Sequence, residues 1–169
     1  MERLERVFIA LGSNIAPRRE RLAEGRAILK KIAVGGWKES RIYETPPLGP
    51  KEQGPYLNQV VSFWYFHGEN RLLYYLKGAE LLLGRKPRGH WLAREIDLDL
   101  LYYGKKIRSG RPTLPHKELA RRQFVLVPMC DIEPDWVDPL SGTSVRKMLN
   151  ELQSLEGEQK FKIVEGGEA

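Results

Sequence analysis

The order in which the hydrophobic period changes between Arg6 and Tyr103 constrains this chain more than any other feature. Arg6–Leu11 (RVFIAL) reads as a strand ended by Gly12-Ser13-Asn14. From about Pro17 to Ala33, Leu22, Leu29, Ile32 and Ala33 recur at helical spacing, and a proline suits the first turn. Gly35-Gly36 breaks that helix, and a second strand is predicted over Lys38–Glu44. Thr45–Pro55 (TPPLGPKEQGP) is too rich in proline and glycine for regular structure. Tyr56–Phe66 (YLNQVVSFWYF), β-branched and aromatic, predicts a third strand. A helix then runs from about Asn70 to Leu83, carrying Leu72, Leu76, Ala79 and Leu83 on one face, with Gly84 placed as its C-terminal cap. Glu95–Tyr103 (EIDLDLLYY) is a fourth strand, turned at Gly104-Lys105. Strand, helix, strand, strand, helix, strand is the split βαβ order. The expected class is therefore α+β, a ferredoxin-like sandwich with a mainly antiparallel sheet and helices packed on it.

Beyond that core a short helix is expected near Lys117–Arg122, a strand near Phe124–Val127 and a last helix near Val145–Leu152. No repeat or linker divides the 169 residues, so residues 1–155 are expected to form a single domain. Residues 156–169, polar and glycine-rich, are expected to be a flexible tail. No apolar run approaches the roughly 18–20 residues that cross a bilayer. The N-terminus, acidic and broken at Gly12, is a poor signal peptide. Cys130 is the only cysteine, which excludes an internal disulfide and a cysteine zinc site, so a cytoplasmic location is the default expectation. A net charge of +6 suits nucleic acid, an anionic membrane or a polyphosphate, and charge alone does not separate them.

Asp97-Leu98-Asp99 is the most informative motif. Alternate strand residues share a face, so Asp97 and Asp99 point one way and Ile96, Leu98 and Leu100 the other. Two like charges side by side are unfavourable unless something positive lies between them. Mg²⁺, which takes one or two carboxylates together with waters and substrate phosphates, fits that spacing. Alone, the pair is more often a solvated strand edge. Its context argues otherwise: Arg85, Lys86, Arg88, His90 and Arg94, with Trp91 among them, lie just before it. Arginine forks read phosphate oxygens and an indole offers a stacking face. Gly89 lets such a loop close over a ligand. No Walker-type G-x-x-x-x-G-K-[ST] is present. A second cluster, Thr113-Leu114-Pro115-His116 with Arg121, Arg122 and Phe124, adds phosphate-binding potential, whereas His67 reads as surface. A sheet with aromatics and positive charge also suits RNA, although no RNP-type run occurs and paired acids would repel a phosphate backbone.

Five segments, in order, resemble one family: FIALGSN (Phe8–Asn14), YETPPLGP (Tyr43–Pro50), YLNQVV (Tyr56–Val61), GRKPRGHWLAREIDLDLLYYG (Gly84–Gly104) and LPHKELARRQFVLVPM (Leu114–Met129). The family is that of the 6-hydroxymethyl-7,8-dihydropterin pyrophosphokinases of folate biosynthesis. The resemblance implies transfer of the diphosphate of ATP to the pterin hydroxymethyl group, with ATP as co-substrate and two Mg²⁺ ions held by Asp97 and Asp99. It matches Arg85, Arg88, Trp91 and Arg94 to a mobile loop over ATP, and Glu80, Arg111, Thr113, His116 and Arg122 to the nucleotide pocket. Arg85 and Arg94 are the candidates for stabilising charge that builds toward AMP. Tyr56 and Phe124 match aromatics that sandwich the pterin, Asn58 an amide on its edge, and Thr45, Pro46 and Leu48 a loop that reads it. An aromatic pair flanking an amide is in any case a sensible pocket for a flat heterocycle. This chain departs from the family pattern in Lys117, where an aromatic residue is common, and in an arginine loop one residue short, with Ala93 in place of proline before Arg94. A monomer acting on small molecules, with neither nucleic acid nor membrane as partner, is expected.

Overall fold

A computed structural model describes residues 2–50 and 52–164. Strand β1 (Glu5–Ser13) leads into helix α1 (Arg18–Lys30), followed by β2 (Lys38–Glu39), β3 (Ile42–Thr45), β4 (Tyr56–Tyr65), α2 (Glu69–Leu82) and β5 (Asp97–Tyr103). A single 3₁₀ turn (Leu119–Arg121), α3 (Gln123–Ile132), α4 (Val145–Glu156) and β6 (Lys162–Val164) complete the chain. The sheet order is β5-β1-β4-β3-β6, β2 also pairs with β4, and every pairing is antiparallel. The expected α+β sandwich is present.

Period-two alternation divides the apolar residues between two cores. Val7, Ile9 and Leu11 of β1, Phe63 of β4 and Leu98 and Leu100 of β5 face Leu22 and Leu29 of α1 and Leu72, Leu76 and Ala79 of α2. Phe8, Val60, Leu101 and Tyr102 face the other way, against Val125, Leu126 and Met129 of α3 and Val145 and Met148 of α4. Burying each such side chain contributes about 1.5–3 kcal/mol. Along β5 the register jumps between Phe8 and Ile9, from Tyr102 to Leu100. Leu101 is thus an extra residue, and it and Tyr102 both join the second core.

Three elements depart from the sequence reading. The strand expected over Lys38–Glu44 is two pieces, because the Ser40 hydroxyl takes the amide of Val60 (3.0 Å) and donates to the carbonyl of Arg41 (2.7 Å). The strand expected at Phe124–Val127 is instead the first half of α3. A short apolar run fits a buried strand or a buried helix equally well by pattern. Here the carbonyl of Arg122 accepts the amides of Val125 and Leu126, and Leu126 and Met129, three apart, are buried over the sheet. The expected tail is also structured in part: α4 extends through Glu156, its carboxylate and the Gly157 carbonyl accept from Gln123, and β6 pairs with β3. Residues 165–169 of the expected tail lie outside the described residues. Among the described residues no helix is long and apolar enough to cross a membrane.

Candidate active site

On the α3/α4 side of the sheet, at the start of α3, a cavity of about 370 Å³ opens over β1, β4 and β5. Its floor includes Gly12, Asn58, Asp97 and Asp99. Gly12 keeps that floor open: a Cβ there would stand 3.2 Å from the Asn58 side-chain oxygen and 3.6 Å from the Tyr56 ring. Thr45, Pro46 and Leu48 line one side, Tyr56 and Phe124 contribute aromatic walls, and Trp91, Arg94, His116 and Arg122 complete the lining. Asn58 donates its amide to the Thr45 hydroxyl at 2.6 Å, which fixes the amide's orientation. The Tyr56 hydroxyl donates to the carbonyl of Leu92 at 3.4 Å, and burial with the nearby Asp97 charge pushes its pKa up.

β5 is the edge strand of the sheet, and its acids meet a third carboxylate there. Oxygens of Glu80, Asp97 and Asp99 all lie within 4.8 Å of one another. Glu80 comes from α2, where it accepts the amide of Leu98 at 2.8 Å and so occupies the open edge of the strand. Burial pushes its pKa up. Burial and then the Asp97 charge likewise push Asp99 up. Three basic side chains offset this concentration of negative charge. Arg85 bonds both Glu80 and, at 3.0 Å, Asp97; Arg94 donates to both oxygens of Asp97 at 2.9 and 3.0 Å. Lys77 lies 3.2 Å from Glu80 and 4.0 Å from Asp99. Three hard carboxylate groups gathered this closely, two of them with the charged form disfavoured by burial, fit a divalent cation of the magnesium type.

The 85–94 loop is tied down at several points. Asn14 and Arg94 exchange bonds, the Asn14 amide donating to the Arg94 carbonyl (3.1 Å) and its side chain accepting the Arg94 amide (2.7 Å). Asn14 also donates to Gln53 (3.2 Å), which donates to the carbonyl of Trp91 (2.6 Å). Trp91 has a φ of 62°, a left-handed conformation that costs a bulky residue about 1–3 kcal/mol unless its surroundings impose it. The Arg122 guanidinium lies 5.9 Å from the Trp91 ring and 5.5 Å from that of Phe124. His116 is half-buried, its pKa pushed down by burial, and its Nδ1 accepts the amide of Glu118.

The structure thus brings Thr45, Pro46, Leu48, Tyr56, Asn58, Trp91, Arg94, Asp97, Asp99, His116, Arg122 and Phe124 to one cavity. Arg85 and Arg88 line a second, adjoining cavity of about 300 Å³, which Arg94 shares. Glu80 reaches the acids from behind. Arg111 and Thr113 line neither cavity, and the Thr113 hydroxyl donates to the carbonyl of Gly110 in a local turn. Sequence reasoning missed Asn14, Gln53 and Lys77. Of these, Lys77 carried a signal: it precedes Glu80 by three on a helix and so shares its face.

An α+β sandwich whose cavity is lined by acids, arginines and aromatic side chains fits an enzyme of the kinase class. The family model for 7,8-dihydro-6-hydroxymethylpterin-pyrophosphokinase matches residues 8–134, and the chain belongs to that family. Among its relatives, a 2-amino-4-hydroxy-6-hydroxymethyldihydropteridine pyrophosphokinase of Methylorubrum extorquens is 35% identical over 153 residues, covering 88% of this chain and 94% of that one. The Haemophilus influenzae protein of the same description is 37% identical over 136 residues, 79% of this chain and 85% of its own. A mitochondrial folate synthesis bifunctional protein of Arabidopsis thaliana is 38% identical over 133 residues, and the match spans only 24% of its length. The fold is shared with the Plasmodium falciparum HPPK-DHPS structure with pteroate, at a TM-score of 0.72 and 14% identity, over 94% of this chain and 44% of that one.

Proposed function

We infer that this chain transfers the diphosphoryl group of ATP to the hydroxymethyl oxygen of 6-hydroxymethyl-7,8-dihydropterin, in folate biosynthesis. One observation carries the reading beyond family membership: Asp97 and Asp99, backed by Glu80, border the same space as the Tyr56–Asn58–Phe124 group. In the reaction the hydroxymethyl oxygen bonds to the β-phosphorus, the bond from that phosphorus to the α-phosphate's bridging oxygen breaks, AMP leaves, and the hydroxyl proton passes to solvent.

Asp97 and Asp99, with Glu80 beside them, would hold Mg²⁺, which when bound supplies counter-charge to the phosphate chain. The chain's own residues do the positioning. Tyr56 and Phe124 hold a flat ring and exclude water from its faces, and Asn58, oriented by Thr45, reads its edge. Pro46 and Leu48 close the apolar side of that subsite. Arg85 and Arg94 approach from opposite ends of one loop and stabilise charge building toward AMP, with Trp91, His116 and Arg122 on the nucleotide side. The enzyme works as a monomer in the cytoplasm, on small-molecule substrates.

Incubation of the purified chain with ATP, Mg²⁺ and the pterin is expected to yield AMP and the pterin diphosphate in equal amounts. Release of ADP, or no pterin-dependent AMP, refutes the reading. Asp97→Ala with wild-type turnover refutes the metal assignment alone.

A further inference from the structure

The loop between Arg85 and Arg94 contains an ion pair that the transfer reaction does not explain. Glu95 is 4% exposed, yet it lies outside β5 and contributes nothing to the cavity lining. Its two oxygens meet the two terminal nitrogens of Arg88 as a fork, each at 2.7 Å, and one of them also accepts the amide of Lys86 at 3.3 Å. A buried carboxylate in this position is held by its partners, and removing one leaves it uncompensated. The pair therefore links a point just inside the start of the loop to a point just past its end.

That placement bears on the two arginines. Lys86 follows Arg85 and Glu95 follows Arg94, and both arginines donate to Asp97. Pro87, between Lys86 and Arg88, restricts Lys86 to extended backbone, so the Glu95 contacts act on a stiff segment. A bond from Lys86 to Glu95 closes the loop at its neck and sets the separation of the two guanidinium groups. We propose that Glu95 is a positioning residue for the diphosphoryl transfer, acting through Arg85 and Arg94. Arg88 is its counter-ion and structural anchor, not a ligand of the nucleotide. This rests on the function inferred above. It also reassigns Arg88, which the family resemblance places over ATP.

The test compares wild type with Glu95→Gln, Arg88→Met, Arg88→Lys and the Glu95→Gln/Arg88→Met double variant. ATP saturation curves, thermal unfolding, and hydrogen exchange of the 86–94 amides are measured for each. Glu95→Gln and Arg88→Met are each expected to lose kcat by on the order of tenfold to a hundredfold, because small misplacements of charged groups cost that much, while KM for ATP stays within about threefold. The double variant is expected to fall no further than the worse single, and Arg88→Lys, which keeps a charge, to recover part of the loss. Faster exchange confined to 86–94 completes the expected result. If Arg88→Met raises KM for ATP about tenfold at unchanged kcat, or if the two losses multiply, Arg88 binds nucleotide directly and the proposal is overturned. Where Glu95→Gln fails to fold, Arg88→Met and Arg88→Lys still decide between a kcat and a KM effect. Where wild type itself turns over no pterin, the functional reading fails. The closure of the loop by Glu95 is then judged on hydrogen exchange and on non-additive stability: altered exchange in the loop with non-additive unfolding retains it, and unchanged exchange or additive unfolding rejects it.

Discussion

On the α1/α2 side of the sheet β5 contributes Leu98 and Leu100, at 0% and 4% exposure; on the α3/α4 side the same strand contributes Asp97 and Asp99. The apolar side holds the strand in place, and the acidic side uses that rigidity to keep two charges where they would otherwise repel each other. The contrast extends to the neighbours. Leu11 and Leu57 pack into the first core, whereas Gly12 and Asn58, one residue further along, form the cavity floor. Alternation thus allows stability and chemistry to be changed almost independently, one residue apart.

The largest expected effect separates the two sides outright. Asp99→Asn should lower turnover by about a thousandfold, equivalent to about 4 kcal/mol of lost transition-state stabilisation, by steady-state assay. Its melting temperature should hold or rise, because burial and Asp97 already oppose the charge at that position. Leu98→Ala should do the reverse. It should cost roughly 2–5 kcal/mol in urea unfolding, with kcat per folded molecule close to wild type. A Leu98→Ala protein of normal stability and lost activity would break the comparison.

A smaller effect follows from acid titration. The hydrogen bonds from Arg88 hold Glu95 down at about 2, against an ordinary value of 4.5. Because the folded-state value is depressed, its stabilisation is complete above 4.5 and fades as pH falls from there toward 2. Urea unfolding across that window should show wild type converging on Glu95→Gln as the medium becomes more acidic. The smallest effect belongs to the sheet edge. Ending the chain at Phe161 removes β6 from β3 and should cost about 1 kcal/mol, with turnover unchanged, since cross-strand pairs are each worth a fraction of that.

The strand order and the acid pair were legible in the sequence because periodicity and charge are local properties. The split βαβ core and the opposite facing of Asp97 and Leu98 needed nothing else. α3 was not legible, since Phe124–Val127 is too short for its period to decide, and only the sheet above it selects a helix. Glu80 could not be placed at the acids from composition, because its reach depends on how α2 lies against the edge of β5. The Asn14–Gln53–Trp91 chain spans three loops and leaves no pattern in any one of them. Arg111 and Thr113 show the converse: a motif match carried them to a site whose cavity they do not line.

The surplus residue at Leu101 makes β5 a strand that changes phase midway. Its far end is moored by Tyr102, whose hydroxyl donates to Asp138 at 2.8 Å, and by Tyr103, bonded to the His67 carbonyl at 2.6 Å. Excising that one leucine would restore strict alternation without turning either half, because the pairing with β1 already passes over it, from Phe8–Tyr102 to Ile9–Leu100. Asp97 and Asp99 would keep facing the cavity, and the loss would fall on the second core and the cavity wall, both of which Leu101 borders. The surplus residue fills space between core and cavity, and the direction of the acids is left to the alternation of the strand itself.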